Sequence, residues 1–504
     1  MSVNVNETEA KYDAPAGAGL PGLDRLPRVA GTSVPQEQVL EAEYYDTGDL
    51  RLIRAGITLR RRSGGHDDGW HLKLPLGGGT RREIRRPLGG ADGRVPAELA
   101  GLVRVHTRGA ALAPIARLTT TRQRLILLDE AGESLAEVAA DDVSARALGP
   151  GTVVPRWQEV EVELTGGDRR LLRAADELLR HGGLRPAGRT AKLARALGDR
   201  LPGPSGRPPP TAPSPAGQVV LAYLRSQADA LVSLDPLVRL DEPDAVHQMR
   251  VASRRLRGTL RSFRHILRQD ATSGLAADLK WLGGVLGAAR DGEVLDAHLR
   301  SRLSQAPVEL RIGPVEARIQ GHFASVRAAA RTELVAALDS ERYFALLDDI
   351  DGLLAGPPLT AEAARAAADV LPAAARRGRR RMNRRMRRAW RTAPGQSRNE
   401  ALHQARKAAR RARYAAEAMA PAIGGRAARF AKRMKQVQSV LGEHQDCVIA
   451  GVAARDLGIG AYLAGENAFS YGLLCERDAC EGERLQAEAR RIWKKAARMP
   501  GWLY

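Results

Sequence analysis

Two distant stretches of the sequence carry the same pattern of basic residues. HQMRVASRRLR at 247–257 and HQARKAARRAR at 403–413 place one histidine and four arginines at identical offsets. On a helix most of these side chains share one face, where like charges destabilise by about 0.2–0.5 kcal/mol per pair. A solvated basic face would explain either stretch alone. Solvent-exposed charges are not expected, however, to recur at identical offsets in a second stretch. The repeat therefore predicts two copies of one helical unit with an anion-binding groove.

The repeat extends beyond these stretches. LGAARD at 286–291 and LGEHQD at 441–446 follow at similar distances, with a lysine six positions before each leucine. Asp291 and Asp446 in these elements are predicted to cap a helix or pair with arginine. The arginine-rich run at 376–391 is predicted to open the second unit. The predicted anion-binding residues are His247, Arg250, Arg254, Arg255, Arg257, Arg261, Lys280, His403, Arg406, Arg410, Arg411, Arg413 and Lys435.

The charge of the chain indicates what kind of partner it binds. The formal net charge is +21, from 79 Lys and Arg against 58 Asp and Glu, which predicts a nucleic acid, an anionic membrane or a phosphate polymer. Aromatic residues make up only 4%, and single-stranded nucleic acid is usually bound by stacking on aromatic side chains. The sequence has no zinc-finger motif and no apolar run of the roughly 18 residues that a membrane span needs. A phosphate polymer is therefore the favoured partner.

Cysteine usage and the first residues indicate the compartment. The three cysteines, Cys447, Cys475 and Cys480, form neither a disulfide framework nor a metal-ligand spacing. The opening MSVNVNETEAKYDA has neither the basic start nor the apolar core of a signal peptide. We predict a cytoplasmic protein.

A proline-rich segment, LPGPSGRPPPTAPSPAG at 201–217, separates two kinds of pattern. Before it, short runs alternate charged and apolar residues between glycine-rich turns, as strands do. After it, Ala, Arg and Leu recur with helical spacing. The predicted fold is α+β: a strand-rich domain at 1–200, a linker at 201–218 and an all-helical domain at 219–504.

Several predicted strands of the first domain are charged on one face. Glu7, Glu9 and Lys11 alternate near its start, and EVEVE at 159–163 alternates near its end. Basic pairs alternate in the strands between them. A half-buried strand with charges in water would explain any one of these. If the strands close into a barrel with these faces inward, the carboxylates form a corner for a hard divalent cation and the basic strands line a phosphate-binding wall.

These motifs resemble the CYTH superfamily, the triphosphate tunnel metalloenzymes. ETEAK resembles the family's ExExK signature, and YYDT at 44–47, LRRR at 59–62, EVEVE and RTAK at 189–192 follow in the family's order. Arg122 stands where lysine is more common. The resemblance implies an eight-stranded antiparallel tunnel with flanking helices that binds a triphosphate and Mg²⁺ or Mn²⁺.

The resemblance also implies roles for individual residues. Glu7, Glu9, Glu159 and Glu161 would hold the metal, with Glu163 beside them, and these four would act in catalysis together with Lys11. Glu137 and Asp141 would help to orient water or metal. The residues implied to hold phosphate oxygens are Lys11, Arg60, Arg62, Lys73, Arg85, Arg122, Arg124, Arg189 and Lys192.

The helical repeat resembles the CHAD domain, which is often fused behind CYTH. HxxRxxxRRxR and LGxxxD occur here in two copies. The resemblance implies two pseudo-symmetric four-helix units whose basic helices line a cavity that binds inorganic polyphosphate. Metal chelation by His247 and His403 is a weaker interpretation, because the arginines on the same face repel cations. Either histidine could instead be a hydrogen-bonded core residue.

The predicted function joins these two parts. The tunnel is expected to hydrolyse inorganic triphosphate by metal-assisted attack of water, while the helical domain binds polyphosphate and places the protein at polyphosphate granules. One alternative is a polyphosphate-binding protein with little turnover. Another is a tunnel that acts on an organic triphosphate such as thiamine triphosphate or ATP.

Overall fold

The structure, a computed structural model, describes residues 3–15, 17, 19–65, 67–77, 80–89, 93–149, 155–187, 192–201 and 214–497; in the first strand, side chains are described from Thr8 onward. The chain forms two compact units, residues 1–206 and 207–504. The division falls within the proline-rich segment. Residues 202–213 of the predicted linker lie outside the described part of the chain.

The first unit is built on one antiparallel sheet. Its strands are β1 (Val3–Ala14), β2 (Gly31–Thr32), β3 (Gln36–Asp46), β4 (Thr58–Ser63), β5 (Gly69–Gly77), β6 (Thr80–Arg86), β7 (Ala113–Leu128), β8 (Ser134–Ala147), β9 (Arg156–Leu164) and β10 (Arg185–Pro186). Eight of them are hydrogen-bonded in the order β1-β6-β5-β4-β3-β7-β8-β9, and β1 also pairs with β9. The ring is therefore closed, which confirms the predicted eight-stranded barrel. The two short strands lie outside it: β2 pairs with β7 and β10 with β1.

Alternation along the strands gives the barrel an apolar outer face and a charged inner face. Val138, Val160 and Val162 pack in one core with Leu171 and Leu179 from a flanking helix. Because side chains alternate with period two, the charged residues between these valines point to the opposite face, the barrel interior.

Among the described residues, five α-helices flank the strands: α1 (Arg51–Arg54), α2 (Ala97–Leu102), α3 (Arg104–Thr107), α4 (Arg169–His181) and α5 (Lys192–Leu197). Asp168 caps α4, because its side chain accepts hydrogen bonds from the backbone N–H groups of Arg170 and Leu171. Leu193 and Leu197 of α5 pack on Leu118 and Val143, which by strand alternation belong to the inner face of the barrel. Helix α5 therefore packs against the barrel interior instead of its outside.

The second unit is built from helices joined by turns and loops. Its helices are α6 (Ala216–Arg239), α7 (Ala245–Ser262), α8 (Gln269–Ser304), α9 (Val315–Leu338), α10 (Glu341–Ala355), α11 (Ala367–Val370), α12 (Pro372–Arg391), α13 (Gln396–Ile423), α14 (Gly425–Leu463) and α15 (Phe469–Ala497). Helix α6 begins inside the segment predicted as linker. Within the described residues, no helix combines the length and the apolar character that a bilayer crossing requires.

The helices form two sets of four in matching order. Helices α6 to α9 pack consecutively, and so do α12 to α15. The two HxxRxxxRRxR stretches lie on α7 and α13, which contact each other, and the LGxxxD elements lie on α8 and α14, which also contact each other. The predicted pair of four-helix units is confirmed, with α10 and α11 between them. The arginine-rich run lies on α12, the first helix of the second set.

Candidate functional site

The carboxylate-bearing strands at the two ends of the first domain are neighbours in the barrel. Lys11 on β1 lies opposite Glu161 on β9, and Glu9 lies opposite Glu163. On the other side of β9, Asp141 of β8 lies opposite Glu159. Closure of the ring thus brings acidic residues from three strands onto one inner face.

Three of these acidic residues form a carboxylate cluster: Asp141, Glu159 and Glu161. One oxygen from each lies within 4.8 Å of the others. Asp141 is 3% exposed and Glu159 is 6% exposed, so the cluster is shielded from bulk water. Hard divalent cations such as Mg²⁺ and Mn²⁺ prefer oxygen ligands of this kind, and the donor set therefore fits such an ion.

Two lysines neutralise the carboxylate cluster. Lys192 Nζ lies 2.8 Å from Asp141 Oδ2 and 2.7 Å from Glu161 Oε1, and it also pairs with Glu159. Lys11 pairs with Glu161, and its Nζ lies 3.2 Å from Glu9 Oε2. Burial opposes the charged form of both lysines, but the neighbouring carboxylates outweigh burial and raise the pKa of each ammonium group. Both lysines are cations here.

Arg122 completes the charge balance of the cluster. Its Nε and Nη2 atoms donate to the two oxygens of Asp141 at 2.8 and 2.7 Å, and Nη2 lies 3.0 Å from Glu161 Oε2. Burial alone would raise the pKa of Asp141, but Lys192 and Arg122 lower it. The pKa of Glu161 is held well below its usual range by Lys11, Lys192 and Arg122, against the effect of burial. These carboxylates are therefore anions at neutral pH.

Basic side chains from β4, β5 and β6 line the adjoining part of the same face. This basic wall consists of Arg60, Arg62, Lys73, Arg81 and Arg85, and the strand register places all of them on one face. Burial, together with Arg60 and Arg122, lowers the pKa of the Arg62 guanidinium to about 9. Cations gathered this closely favour a bound anion, because its charge relieves their repulsion.

A buried carboxylate organises the middle of the basic wall. Glu83 is 1% exposed; its Oε1 lies 2.9 Å from His71 Nδ1 and 3.8 Å from Lys73 Nζ, and it also pairs with Arg85. Burial lowers the pKa of His71 to about 4, so its imidazole is neutral at physiological pH. Glu83 thus orients His71 and two side chains of the wall, Lys73 and Arg85.

The remaining predicted tunnel residues differ in how they are placed. The Glu7 side chain and all of Arg189 lie outside the described residues. Arg124 Nε pairs with Glu137 Oε2 at 2.8 Å on the inner face. Burial, with a contribution from nearby Glu9, raises the pKa of Glu163. Arg81 was not predicted, although its parity with Glu83 and Arg85 in TRREIRR signals its position.

In the second unit, arginines from both copies of the repeat converge between α7 and α13. These central arginines are Arg250, Arg254, Arg406 and Arg410. Burial and the other three lower the pKa of the Arg410 guanidinium to about 10, and burial also lowers the pKa of Arg254. The Nε atoms of Arg254 and Arg406 are buried without a hydrogen-bond partner among the described residues. The arginine-bearing faces of the two repeat copies therefore lie close enough to repel each other.

The glycine of each LGxxxD element makes room for one central arginine. A Cβ atom on Gly287 would lie 3.2 Å from Nη2 of Arg250, and one on Gly442 would lie 3.4 Å from Nε of Arg406. Arg250 Nη1 donates to Asp291 Oδ1 at 2.6 Å, the pairing predicted for this aspartate. Residues of the LGxxxD element thus position an arginine of the HxxRxxxRRxR stretch on the neighbouring helix.

Other predicted arginines of the repeat have different surroundings. Arg255 and Arg413 both pair with Glu417, at 3.1 and 2.6 Å, so a carboxylate already satisfies them. Burial and a second group of arginines lower the pKa of Arg411 to about 10; the group is Arg257, Arg261, Arg381 and Arg385. Of these, Arg381 and Arg385 belong to the arginine-rich run. Lys280 and Lys435 are exposed.

The two repeat histidines are half-buried beside arginines. Burial lowers the pKa of His247 and of His403, and nearby Arg254 and Lys407 respectively lower it further. His403 also lines a cavity of about 1750 Å³, with Arg388, Arg398, Arg490 and Lys494 among the other lining residues. Neutral imidazoles in this setting donate and accept hydrogen bonds without adding charge.

Comparison with protein families matches each unit to one family. The CYTH domain model matches residues 6–190, and the CHAD domain model matches residues 222–455. The chain is also 36% identical over 504 residues to an uncharacterized protein of Mycobacterium tuberculosis, in a match that covers 97% of this chain and 96% of that protein. The match therefore extends over both units of this chain.

Two solved structures are similar to parts of this chain. The CHAD domain of the plant Ricinus communis is 23% identical, with a TM-score of 0.47, and covers 58% of this chain and 96% of its own. A Hippeastrum protein described as an adenylyl cyclase candidate with a dominant triphosphatase activity is 17% identical, with a TM-score of 0.23. That match covers 38% of this chain and 93% of the Hippeastrum chain.

Proposed function

Because the chain belongs to the CYTH and CHAD families, as a fusion of one domain of each, we propose that its first unit hydrolyses inorganic triphosphate with Mg²⁺ or Mn²⁺ and that its second unit binds inorganic polyphosphate. The observation that carries the first part is the carboxylate cluster standing next to the basic wall on one inner barrel face. A short, highly charged phosphate chain with a divalent cation matches both surfaces at once.

In this proposal each group of the tunnel has a separate task. The carboxylate cluster holds the cation, which when bound neutralises charge on the phosphate oxygens. The basic wall binds the phosphate chain, whose negative charge offsets the repulsion that Arg62 receives from Arg60 and Arg122. Glu83 keeps Lys73 and Arg85 in position. Water then attacks the terminal phosphorus, and the phosphoanhydride bond to the middle phosphate breaks.

The test is phosphate release by the full-length chain from triphosphate, ATP, thiamine triphosphate and long-chain polyphosphate, each with Mg²⁺ or Mn²⁺. We expect triphosphate to be hydrolysed fastest, and Glu161→Gln and Glu9→Gln to abolish hydrolysis. Glu98→Gln is the matched control, because Glu98 pairs with Arg86 and its side chain is 59% exposed. Equal turnover of all four substrates without metal would contradict the enzyme proposal. Faster hydrolysis of ATP or thiamine triphosphate would contradict the assignment of inorganic triphosphate as the substrate.

For the second unit, the test is retention of the chain on immobilised long-chain polyphosphate. Replacing Arg250 and Arg406 together by glutamine removes two central arginines and should weaken retention while hydrolysis in the tunnel is spared. Arg484→Gln is the control, since Arg484 is exposed and pairs with Glu481. Unchanged retention in the double variant would mean that the central arginines do not bind the polymer.

One observation favours a second candidate, a tunnel that binds phosphate with little turnover. Lys192 already satisfies the three carboxylates that a metal needs. A slow rate that saturates with metal only at high concentration would support this candidate. The cytoplasmic location and the association with polyphosphate granules remain part of the proposal, based on charge and cysteine usage.

A further inference from the structure

Three helices of the second unit bring a histidine, a cysteine and an aspartate together away from the central arginines. They are His298 on α8, Cys447 on α14 and Asp478 on α15, and one possible ligand atom of each lies within 4.8 Å of the others. Cys447 is 3% exposed and Asp478 is 1% exposed, whereas the His298 side chain is 20% exposed. The three residues lie on different helices, so their grouping is a product of the fold.

The hydrogen bonds within this cluster leave part of it unsatisfied. Asp478 Oδ1 accepts from His298 Nε2 at 2.8 Å and from Arg302 Nε at 3.1 Å. Its other oxygen, Oδ2, is buried and has no hydrogen-bond partner among the residues that the structure describes. A buried carboxylate oxygen without a hydrogen-bond partner is energetically costly, because it has lost its bonds to water. A ligand that uses this oxygen would remove that cost.

We propose that His298, Cys447 and Asp478 form a binding site for a borderline-soft divalent cation, with Zn²⁺ as the best match. Imidazole nitrogen, thiolate sulfur and carboxylate oxygen are the ligand types that Zn²⁺ takes, at about 2.0–2.3 Å. Ligands around one tetrahedral ion stand about 3.3–3.8 Å apart, which is compatible with three ligand atoms that all lie within 4.8 Å of one another. Cys447 and Asp478 also line the 1750 Å³ cavity, which leaves a fourth position open to water.

The charge around the site fits a bound cation once the thiol has lost its proton. Burial and nearby Asp478 raise the pKa of Cys447 to about 11, so the thiol is protonated without metal. Binding replaces the S–H bond by a sulfur–metal bond and releases one proton to water. Thiolate and carboxylate then give two negative charges against the single charge of Arg302, whose Nη2 lies 3.9 Å from Sγ.

This site differs in chemistry from the carboxylate cluster of the barrel. The barrel cluster offers only oxygen and suits Mg²⁺ or Mn²⁺, whereas the helical cluster offers nitrogen, sulfur and oxygen. All three cysteines of the chain belong to the second unit. A spectroscopic signal from a metal–thiolate bond therefore reports only on the second unit.

The experiment is a Co²⁺ titration of the full-length, metal-free chain, followed by the thiolate-to-cobalt charge-transfer absorption and then by displacement with Zn²⁺. We expect one equivalent of Co²⁺ to produce this absorption, Zn²⁺ to remove it and Cys447→Ser to abolish it. Cys475→Ser is the matched control. Cys475 lies on α15 one turn before Asp478, and its thiol donates to Gly451 O at 3.1 Å. His298→Gln, a partly exposed position, should weaken Co²⁺ binding on the order of tenfold or more without unfolding the chain.

The outcomes separate the proposal from a buried ion-pair cluster. No charge-transfer absorption in the wild-type chain would overturn it, and so would an absorption that survives Cys447→Ser or disappears in Cys475→Ser. Should Cys447→Ser fail to fold, His298→Gln decides alone: unchanged Co²⁺ affinity contradicts the site. Release of one proton per Zn²⁺ in a weakly buffered solution gives an independent measure of thiol deprotonation.

Discussion

Lys192 Nζ lies 2.8 Å from Asp141 Oδ2, so the first residue of α5 provides a cation for the carboxylate cluster of the barrel. The same nitrogen reaches Glu159 and Glu161. An ammonium group in this position occupies the space between the oxygens that a divalent ion would bind. Metal binding and the position of Lys192 are therefore coupled through Coulomb repulsion.

The first prediction follows from this coupling. Lys192→Gln should lower the metal concentration for half-maximal hydrolysis severalfold, because the competing cation is gone. It should also raise KM for triphosphate about tenfold, because a charged phosphate ligand is lost. Steady-state kinetics over a matrix of metal and triphosphate concentrations measure both effects. Arg195→Gln on the next turn is the control, and an unchanged metal requirement in Lys192→Gln would contradict the coupling.

The second prediction concerns acid stability of the first unit. Neighbouring cations hold the pKa values of Asp141 and Glu161 below the ordinary 3.8 and 4.5, although burial opposes this. Carboxylates with lowered folded pKa values contribute stability that is fully present above the unfolded values and is lost as pH falls through the folded ones. Glu163 has the opposite effect, since burial raises its pKa. Stability should therefore fall steeply below about pH 4.

Scanning calorimetry of the full chain from about pH 6 to about pH 3 measures this loss. Asp141→Asn removes one of the carboxyl groups whose pKa is lowered. The unfolding temperature of the first unit should therefore be lower at neutral pH in this variant and should depend less on pH. Identical pH slopes for the wild type and Asp141→Asn would show that this carboxyl does not contribute.

The third prediction is a conflict between stability and binding among the central arginines. Burial and three other arginines lower the pKa of Arg410, so its charge destabilises the ligand-free unit. Arg410→Gln should raise the unfolding temperature of the ligand-free chain by about 2–4 °C and should lose most of the stabilisation by polyphosphate. Thermal unfolding with and without the polymer measures both. A lower unfolding temperature in the ligand-free variant would contradict the repulsion.

The fourth prediction tests the glycine of the LGxxxD element. Gly287→Ala places a methyl group 3.2 Å from Nη2 of Arg250, which must move, so polyphosphate affinity should fall severalfold. Gly284→Ala, on the same helix, meets nothing within 4 Å and should leave affinity unchanged. It should also stabilise α8 slightly, because alanine favours helix over glycine by about 1 kcal/mol. Equal binding by the two variants would remove the role assigned to Gly287.

Much of this architecture follows from local periodicity. Alternation with period two fixes which residues of a strand share a face, which is why Glu9 and Lys11, or Arg60 and Arg62, were predicted together. Helical periodicity and the long-range repeat likewise predicted that Arg250 and Arg406 occupy equivalent positions on two basic helix faces. The proline-rich segment marked the division between the two units. Each of these signals is local or is a comparison of two local patterns.

Tertiary structure decided which of these faces meet and which charges remain unbalanced. Strand register sets Asp141 beside Glu159, and packing of α5 against the barrel interior brings Lys192 to both of them. Helix packing gives Arg255 and Arg413 a shared carboxylate in Glu417 but leaves the central arginines in mutual repulsion. Periodicity says which way a side chain points, but its electrostatic surroundings come from residues far away in the chain.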